Sequence, residues 1–273
     1  MTEGNARRNL LCVIFFSGKA QGGRFFGSQY FKHAPRVFVC KTRGAYVKLI
    51  AMRMHRKDNL EARLLACADV MTAADLTEKN MKVAAQMKDY IDFATVFGNS
   101  APVHLEIGCG KGGFVCGMAR LHPDINFVAV ERVSNVIITA CEAVKQQGIK
   151  NVHFINCPAE VLPRYIREGS IQRIYLNFSD PLPKLGYSSQ RLTNPRFLGI
   201  YKAMLAEGGE LWQKTDNEAF FEYSLQSFEE CGWTVKEVCR DLAAHPFAGN
   251  VVTEHEKKFM EEGRKIFRVV AAP

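Results

Sequence analysis

Residues 103–113 read VHLEIGCGKGG, so a short apolar run passes directly into a turn rich in glycine. Glycine adopts backbone conformations that other residues avoid, and it lets a ligand approach the main chain closely. A second apolar run follows at 127–130 and ends at Glu131. A strand that leads into a glycine turn, a helix and a second strand is typical of a βαβ unit. The segment therefore predicts an α/β fold with a mainly parallel sheet.

The same alternation of apolar runs and amphipathic stretches continues from residue 102 to the end of the chain. We predict strands at 103–107, 126–130, 151–155, 171–177, 209–214, 233–239 and 264–270. Helices are predicted at 112–121, 134–147, 159–167, 194–206 and 218–231. The connection at 240–263 is long for a compact domain, and long connections often carry function.

Composition and charge divide the chain into two parts. Of the 273 residues, 47% are hydrophobic and 23% charged, which excludes disorder along the whole length. The net charge of +8 resides in residues 1–51, which hold nine Lys or Arg and one acid, whereas the remainder holds 27 bases and 27 acids. We therefore predict a basic extension at 1–51 and a single domain at 52–273 with a helical lead-in at 52–100.

The basic extension has three interpretations. Its cations and interleaved aromatic residues suit an RNA-binding arm, and its shortage of acids suits a targeting segment. Alternatively, translation begins at Met52 or Met54, and residues 1–51 lie upstream of the true start. The segment shows little regular periodicity before residue 36, so we expect disorder over much of it if it is translated.

Several protein classes are disfavoured by short patterns. The apolar run at 10–16 has seven residues, far fewer than the roughly 20 that a transmembrane helix needs. The nine cysteines form no C-x-x-C pair, and the seven histidines form no evident ligand cluster, so we predict no metal site. Unpaired thiols favour a location in the reducing cytoplasm.

The glycine turn predicts an adenosine cofactor. An acid after the second strand, Glu131, can accept hydrogen bonds from both ribose hydroxyls. Gly108, Gly110 and Gly113 also fit the G-x-G-x-x-G pattern of NAD-binding proteins. Glu106 favours the alternative, because a carboxylate at the strand end repels a pyrophosphate but attracts the ammonium and sulfonium groups of S-adenosylmethionine. We therefore favour the methyl donor and keep an NAD-dependent oxidoreductase as the alternative.

A second candidate motif follows the strand at 171–177. There the apolar run ends in a polar segment stiffened by prolines, residues 177–184, which read NFSDPLPK. We expect this loop to lie beside the end of the first strand, where ligands of parallel sheets bind. A simpler interpretation is that Asp180 and Pro181 only initiate a turn.

Six motifs together resemble the bacterial tRNA (guanine-N7)-methyltransferase family over residues 52–273. They read EIGCGKG (106–112), YLNFSDP (175–181), RLT (191–193), KTDN (214–217), FEYSL (221–225) and GNVVTEHE (249–256). The resemblance implies a class I, Rossmann-like fold of seven mostly parallel strands with one antiparallel strand. It also implies methyl transfer from S-adenosylmethionine to N7 of a guanine in the tRNA variable loop (m7G46).

The resemblance also implies roles for individual residues. Glu106, Gly108, Gly110 and Glu131 correspond to cofactor-binding positions, and Asp180 to an active-site acid that faces both cofactor and guanine. The positions implied to contact tRNA are Lys184, Asp216, Thr253, Glu254, His255 and Glu256. Thr253 and Glu256 also fit a helix capping box, and both roles are compatible.

Two departures from the family pattern bear on this interpretation. Pro158 stands where the family usually has a cofactor-contacting acid, and residues 185–190 lack the usual cations. Fewer phosphate contacts predict weaker RNA binding with a flatter salt dependence, unless the basic extension and the neighbouring Arg53, His55, Arg56 and Lys57 compensate. A non-catalytic RNA-binding relative therefore remains a further alternative. The sequence leaves the oligomeric state open.

Overall fold

The computed structural model describes the strand backbones at 11–13, 24–25, 36–42 and 45–52, and residues 57–74, 77–78 and 80–273. Two compact units are present, residues 1–58 and 59–273. Strands β1 (Leu11–Val13), β4 (Ala45–Met52), β3 (Arg36–Thr42) and β2 (Arg24–Phe25) form an antiparallel sheet in that order. Most of the predicted extension lies outside the described residues, so its interpretation stays a prediction.

The second unit is built on an eight-stranded sheet in the order β11-β12-β10-β9-β6-β7-β8-β5. Only β12 runs antiparallel to the other strands, as the family resemblance implies. The strands are β5 (Met71–Ala73), β6 (Val103–Ile107), β7 (Asn126–Val130), β8 (Val152–Asn156), β9 (Ile171–Asn177), β10 (Leu205–Thr215), β11 (Thr234–Cys239) and β12 (Phe267–Ala272).

Helices cover both faces of this sheet. They are α1 (Leu60–Leu65), α2 (Met81–Gln86), α3 (Phe93–Phe97), α4 (Gly113–Leu121), α5 (Ser134–Gln146), α6 (Leu162–Tyr165), α7 (Pro195–Met204), α8 (Glu218–Glu230) and α9 (Glu254–Glu261). All residues of β6 and β7 are buried. Strands buried on both faces read as continuous apolar runs, which explains why the sequence identified them.

The structure contains secondary-structure elements that were not predicted. All seven predicted strands are present, and an eighth, β5, extends the sheet by pairing in parallel with β8. In the described residues of the lead-in, the structure has three short helices and one strand. The helix predicted at 159–167 is a 3-10 turn at Ala159–Val161 followed by the short α6. The connection at 240–263 contains α9, which was not among the predicted helices although the capping box at Thr253 and Glu256 indicated its start.

The chain order reverses between β6 and β9, which are neighbours in the centre of the sheet. From β6 the chain proceeds outward through β7 and β8, whereas from β9 it proceeds in the opposite direction through β10. Ligands of open parallel sheets bind at the carboxyl ends of strands at such a reversal. This places the site between the residues that follow Glu106 and those that follow Asn177.

Candidate active site

Glu106 forms the floor of the site at the end of β6. Only 3% of the residue is exposed, and Oε1 accepts a hydrogen bond of 3.1 Å from the Asn177 side chain at the end of β9. Oε2 is buried and has no hydrogen-bond partner among the described residues. Burial raises the pKa of Glu106 to about 7, although Asn177 and the charge of Lys214 oppose that rise. A buried, unpaired carboxylate oxygen fits a cationic or hydrogen-bond-donating ligand.

The glycine turn leaves open space above this carboxylate. Gly108 and Gly110 have φ angles of 85° and 57°, and a Cβ atom built on either residue meets nothing within 4 Å. The amides of Gly108 and Cys109 donate to the carbonyl of Val130, at 2.8 and 3.0 Å, so the turn is fixed to the end of β7. A side chain at Gly108 or Gly110 would therefore occupy space that a ligand can use. The turn and Glu106 fit an adenosine-type cofactor.

A cavity of about 320 Å³ connects these features. This volume lies at the lower end of the range for small-molecule sites. Its lining includes six predicted site residues, together with Cys109, Lys111, Gly113, Phe114, Val136, Asn177 and Phe178. The six are Glu106, Gly108, Gly110, Thr253, Glu254 and His255. The structure therefore brings together residues that are almost 150 positions apart in the sequence.

Glu131 lies at the edge of this arrangement, immediately after β7. Its carboxylate accepts a hydrogen bond of 2.9 Å from the backbone amide of Val133, and the residue is half-buried. The residue before it, Val130, holds the glycine turn through its carbonyl. Glu131 does not line the cavity itself, but it is adjacent to the turn that does.

The loop that carries Asp180 begins at the cavity and then turns outward. Phe178 and Leu182, on either side of Asp180, have φ angles of 51° and 43°, which are uncommon for residues with a side chain. Asp180 is exposed and accepts a hydrogen bond of 3.1 Å from the amide of Leu182. Arg191 supports the loop by donating to the carbonyls of Pro181 and Leu182, at 3.0 and 3.2 Å. Backbone strain of this kind is often found at functional sites.

The predicted residue Lys184 is exposed at the outer end of this loop. Neither Asp180 nor Lys184 lines the cavity, although the loop's first residues, Asn177 and Phe178, do. Leu185, next in the chain, is 86% exposed. The loop therefore connects the cavity to a solvent-facing surface.

Asp216, which follows β10, is paired with Arg264 through an ion pair. The Arg264 guanidinium also lies 4.3 Å from the centre of the Phe259 ring. Phe259 in turn contacts the rings of Phe178 and His255, with centroid distances of 5.8 and 6.1 Å. Asp216 is thus connected to the cavity wall through Arg264 and aromatic side chains.

The segment 253–256 forms the wall opposite the glycine turn and starts α9. The Thr253 hydroxyl accepts a hydrogen bond of 3.0 Å from the amide of Glu256, which confirms the predicted helix cap. Thr253, Glu254 and His255 line the cavity, whereas Glu256 does not. The Glu256 carboxylate is buried in an ion pair with Lys214, at 2.7 Å. It is therefore not free to contact a ligand in this conformation.

Phe178, Lys214 and Asn250 are among the residues at or near the cavity that were not predicted as site residues. Phe178 lines the cavity, and the Lys214 ammonium donates to Glu256 and to Asn250 Oδ1, at 3.1 Å from the latter. A lysine is almost never fully buried unless it is paired. Lys214 is the penultimate residue of β10 and follows Leu211 and Trp212 closely, and that position was the available signal that it would need a buried partner.

No helix in the described part of the chain is long and apolar enough to cross a membrane. Within the same residues, no group of three or more His, Cys, Asp or Glu side chains is placed to hold a metal ion. The seven cysteines whose side chains the structure describes are all free thiols.

Comparisons with known proteins agree with this geometry. A family model described as a putative methyltransferase matches residues 100–269. The tRNA (guanine-N(7)-)-methyltransferase of Bacillus velezensis is 47% identical over 174 residues, which cover 64% of this chain and 80% of that protein. Proteins of the same name from Streptococcus thermophilus and Bacillus subtilis are each 44% identical, over 64% of this chain and 83% and 82% of their own lengths. The segment matched by the family model contains every cavity residue named above.

Proposed function

The chain belongs to the tRNA (guanine-N(7)-)-methyltransferase family, and we propose that it transfers a methyl group from S-adenosylmethionine to N7 of a guanine in the tRNA variable loop. The observation that carries the proposal is the buried, unpaired Oε2 of Glu106. It lies in a cavity between a glycine turn and the start of α9. A carboxylate in that position suits a positively charged methyl donor and opposes a pyrophosphate, so it argues against the NAD-dependent alternative.

The cofactor would be held by the glycine turn, Glu106 and Glu131. Glu106 offers a carboxylate oxygen that the protein itself leaves unsatisfied, and Gly108 and Gly110 leave the main chain accessible. Glu131, which follows β7, supplies the acid expected to accept ribose hydroxyls. Pro158 cannot accept a hydrogen bond through its side chain, so recognition at that edge rests on backbone groups. When bound, the sulfonium supplies an electrophilic methyl group.

Methylation at N7 places few demands on acid-base chemistry. Guanine N7 already has an in-plane lone pair, so no proton has to be removed before it attacks. The protein must instead hold the two reacting atoms about 3 to 3.5 Å apart in the correct orientation. We assign that positioning to Asp180, on a loop fixed by Arg191 and by two residues with positive φ. Its carboxylate also stabilises the positive charge that develops on the purine.

A folded tRNA must present the guanine to this cavity, because a stacked base is inaccessible to the methyl donor. Lys184 extends from the same loop into solvent and is suited to contact phosphate. We also propose that the basic segment 1–51 compensates for the cations absent from 185–190. Deletion of residues 1–51 would then weaken tRNA binding and flatten its salt dependence, whereas unchanged values would contradict the compensation. The free thiols favour the reducing cytoplasm as the site of reaction.

The proposal is tested by incubating the purified chain with labelled S-adenosylmethionine and unmodified tRNA, followed by nucleoside analysis. We expect 7-methylguanosine, and mapping of the modified nucleotide tests the assignment to the variable loop. Calorimetry with S-adenosylhomocysteine and with NAD distinguishes the two cofactors. A chain that binds tRNA and S-adenosylhomocysteine but forms no 7-methylguanosine would be a non-catalytic relative. Binding of NAD alone would contradict the proposed function.

A further inference from the structure

Lys214, near the end of β10, donates hydrogen bonds to several acceptors in the segment 250–256. Its side chain is 6% exposed, and that of its ion-pair partner Glu256 is 1% exposed. The ammonium donates to Glu256 Oε2 at 2.7 Å, to Asn250 Oδ1 at 3.1 Å and to the carbonyl of Val251 at 3.2 Å. All three ammonium protons are therefore directed to residues 250–256.

The acceptors are also connected to one another. The Asn250 side-chain amide donates to the second carboxylate oxygen of Glu256 at 2.7 Å, and the Glu256 amide donates to the Thr253 hydroxyl. Lys214, Asn250 and Glu256 thus form a closed triangle. The residues that line the cavity, Thr253 to His255, lie between two members of this triangle. Their backbone cannot shift without breaking at least one of these contacts.

Helix α4 fixes the same segment from a second direction. A Cβ atom built on Gly117 would lie 2.6 Å from Cγ1 of Val251, closer than atoms can approach. The segment 250–256 therefore packs against α4 at a point where only glycine leaves room. This close contact is independent of the ion pair, and it involves the side chain of a residue in the same stretch of chain.

A buried ion pair is a poor way to increase stability. Removing two charges from water has a large desolvation cost, and well-packed apolar residues of similar volume are often as good or better. Burial lowers the pKa of Lys214, which shows this cost, although the charge of Glu256 opposes the decrease. The pair instead contributes defined geometry, because hydrogen bonds have preferred directions and apolar contacts do not.

We propose that Lys214 is a positioning residue, which uses Glu256 and Asn250 to hold the Thr253–His255 wall in the conformation that receives the guanine nucleotide. The proposal rests on the proposed function of the site. It assigns Glu256 a role inside the protein instead of the tRNA contact that the family resemblance implies. The tRNA contacts of this wall then belong to the exposed side chains of Glu254 and His255.

The test uses the double variant Lys214→Met/Glu256→Met in the full-length chain, because a single substitution would leave an unpaired buried charge and destabilise the fold. We expect a folded variant with a slightly lower Tm, because Asn250 and the Val251 carbonyl lose a hydrogen-bond partner, and with unchanged affinity for S-adenosylhomocysteine. The value of kcat/KM for tRNA should decrease by about 100-fold, which is typical of a misplacement of about 1 Å at a reacting centre. The slope of log kcat/KM against log salt should stay unchanged, since no phosphate contact is lost.

A matched control is the exposed ion pair of Arg240 and Glu222, which lies outside the cavity lining. The variant Arg240→Met/Glu222→Met removes the same number of charges and should retain the wild-type kcat/KM. The wild-type chain in the same assay tests the proposed function separately, since a wild type that forms no 7-methylguanosine contradicts that function.

Three results would overturn the positioning role while leaving the proposed function intact. The first is a double variant with wild-type kcat/KM. The second is a decrease of about one unit in the salt slope, which would show that the pair contacts phosphate directly. The third is a lower Tm with a parallel loss of S-adenosylhomocysteine affinity, which would show a purely structural role.

Discussion

Two regions that meet at the cavity are built in opposite ways. The wall at 250–256 is fixed by a buried ion pair, a helix cap and close packing against Gly117. The loop at 178–191 is mostly exposed, and its hydrogen bonds from Arg191 reach only backbone carbonyls. Methyl transfer needs fixed geometry at the reacting atoms, whereas a large folded RNA needs an accessible surface. One site thus combines a fixed wall with a loop that extends into solvent.

The largest effect is expected at Asp180, on the exposed side. Asp180→Ala should decrease kcat by about 100- to 1,000-fold, the range seen when one group that stabilises developing charge is removed. Affinity for S-adenosylhomocysteine should not change, because Asp180 does not line the cavity. Single-turnover kinetics with saturating tRNA measure the chemical step directly. A variant as active as the wild type would remove Asp180 from the mechanism and leave the rigid wall as the catalytic side.

The matched variant Asp180→Asn keeps the side-chain volume and the acceptor for the Leu182 amide. If the negative charge matters, Asn should be nearly as slow as Ala. If only loop conformation matters, Asn should restore most of the activity.

The second largest effect is expected at Glu106, at the base of the cavity. Glu106→Gln replaces a charge-assisted contact by a neutral one, and affinity for S-adenosylmethionine should decrease by about 10- to 100-fold at pH 8. In the wild type this affinity should increase as the pH rises through about 7, where the carboxyl loses its proton. Calorimetry between pH 6 and pH 8.5 measures both. An affinity that is independent of pH would contradict a charged role for Glu106.

Glu106→Gln should weaken cofactor binding but stabilise the fold. Because the pKa of Glu106 rises from 4.5 to about 7 on folding, the folded state binds more protons between those values. The free energy of unfolding therefore decreases as the pH rises through this window, and the loss is complete above pH 7. Glu106→Gln removes the penalty and should increase the free energy of unfolding at pH 8 by about 3 kcal/mol, and by much less at pH 4.5. Urea denaturation at the two pH values measures the difference.

The third prediction concerns Gly117→Ala, a substitution that disturbs the packing of the segment 250–256 but leaves its ion pair unchanged. In Gly117→Ala the new methyl group would overlap the γ-methyl groups of Val251, so the Val251 side chain or the backbone on one side of the contact must shift. We expect kcat/KM for tRNA to decrease about tenfold, the equivalent of about 1.4 kcal/mol. Combining it with Val251→Ala removes the clash and should restore most of the activity. Failure of this rescue would show that the close contact does not set the position of the wall.

A matched control for that substitution is Gly199→Ala in α7. A Cβ atom at Gly199 meets nothing within 4 Å, and the residue is exposed in the middle of a helix. Alanine there should increase the free energy of unfolding by about 1 kcal/mol and leave the activity unchanged.

The sequence predicted the floor of the site better than its walls. Glu106, the glycine turn and Glu131 follow strands that are buried on both faces, so short local patterns locate them. Strand β5 has three residues, too few for a periodic signal, and its pairing with β8 is a tertiary contact. Lys214 was likewise missed as a site residue, because its acceptors are 36 to 42 positions away and only the fold brings them together. Family resemblance supplied the 253–256 segment but could not show that Glu256 is buried.

The smallest effect is expected on the exposed loop. Leu185 is the most exposed large apolar residue in the described part of the chain, at 86%, and it follows Lys184 directly. Leu185→Lys adds a cation where residues 185–190 have none. If this loop contacts the tRNA backbone, the salt slope of tRNA binding should steepen by about one unit, with kcat unchanged.

Leu65→Lys, on a leucine of α1 that is 77% exposed, adds the same charge away from the cavity lining and should leave the slope unchanged. Equal changes of the salt slope in both variants would mean that tRNA affinity depends only on the net charge of the protein. The exposed loop would then make no specific contact with tRNA.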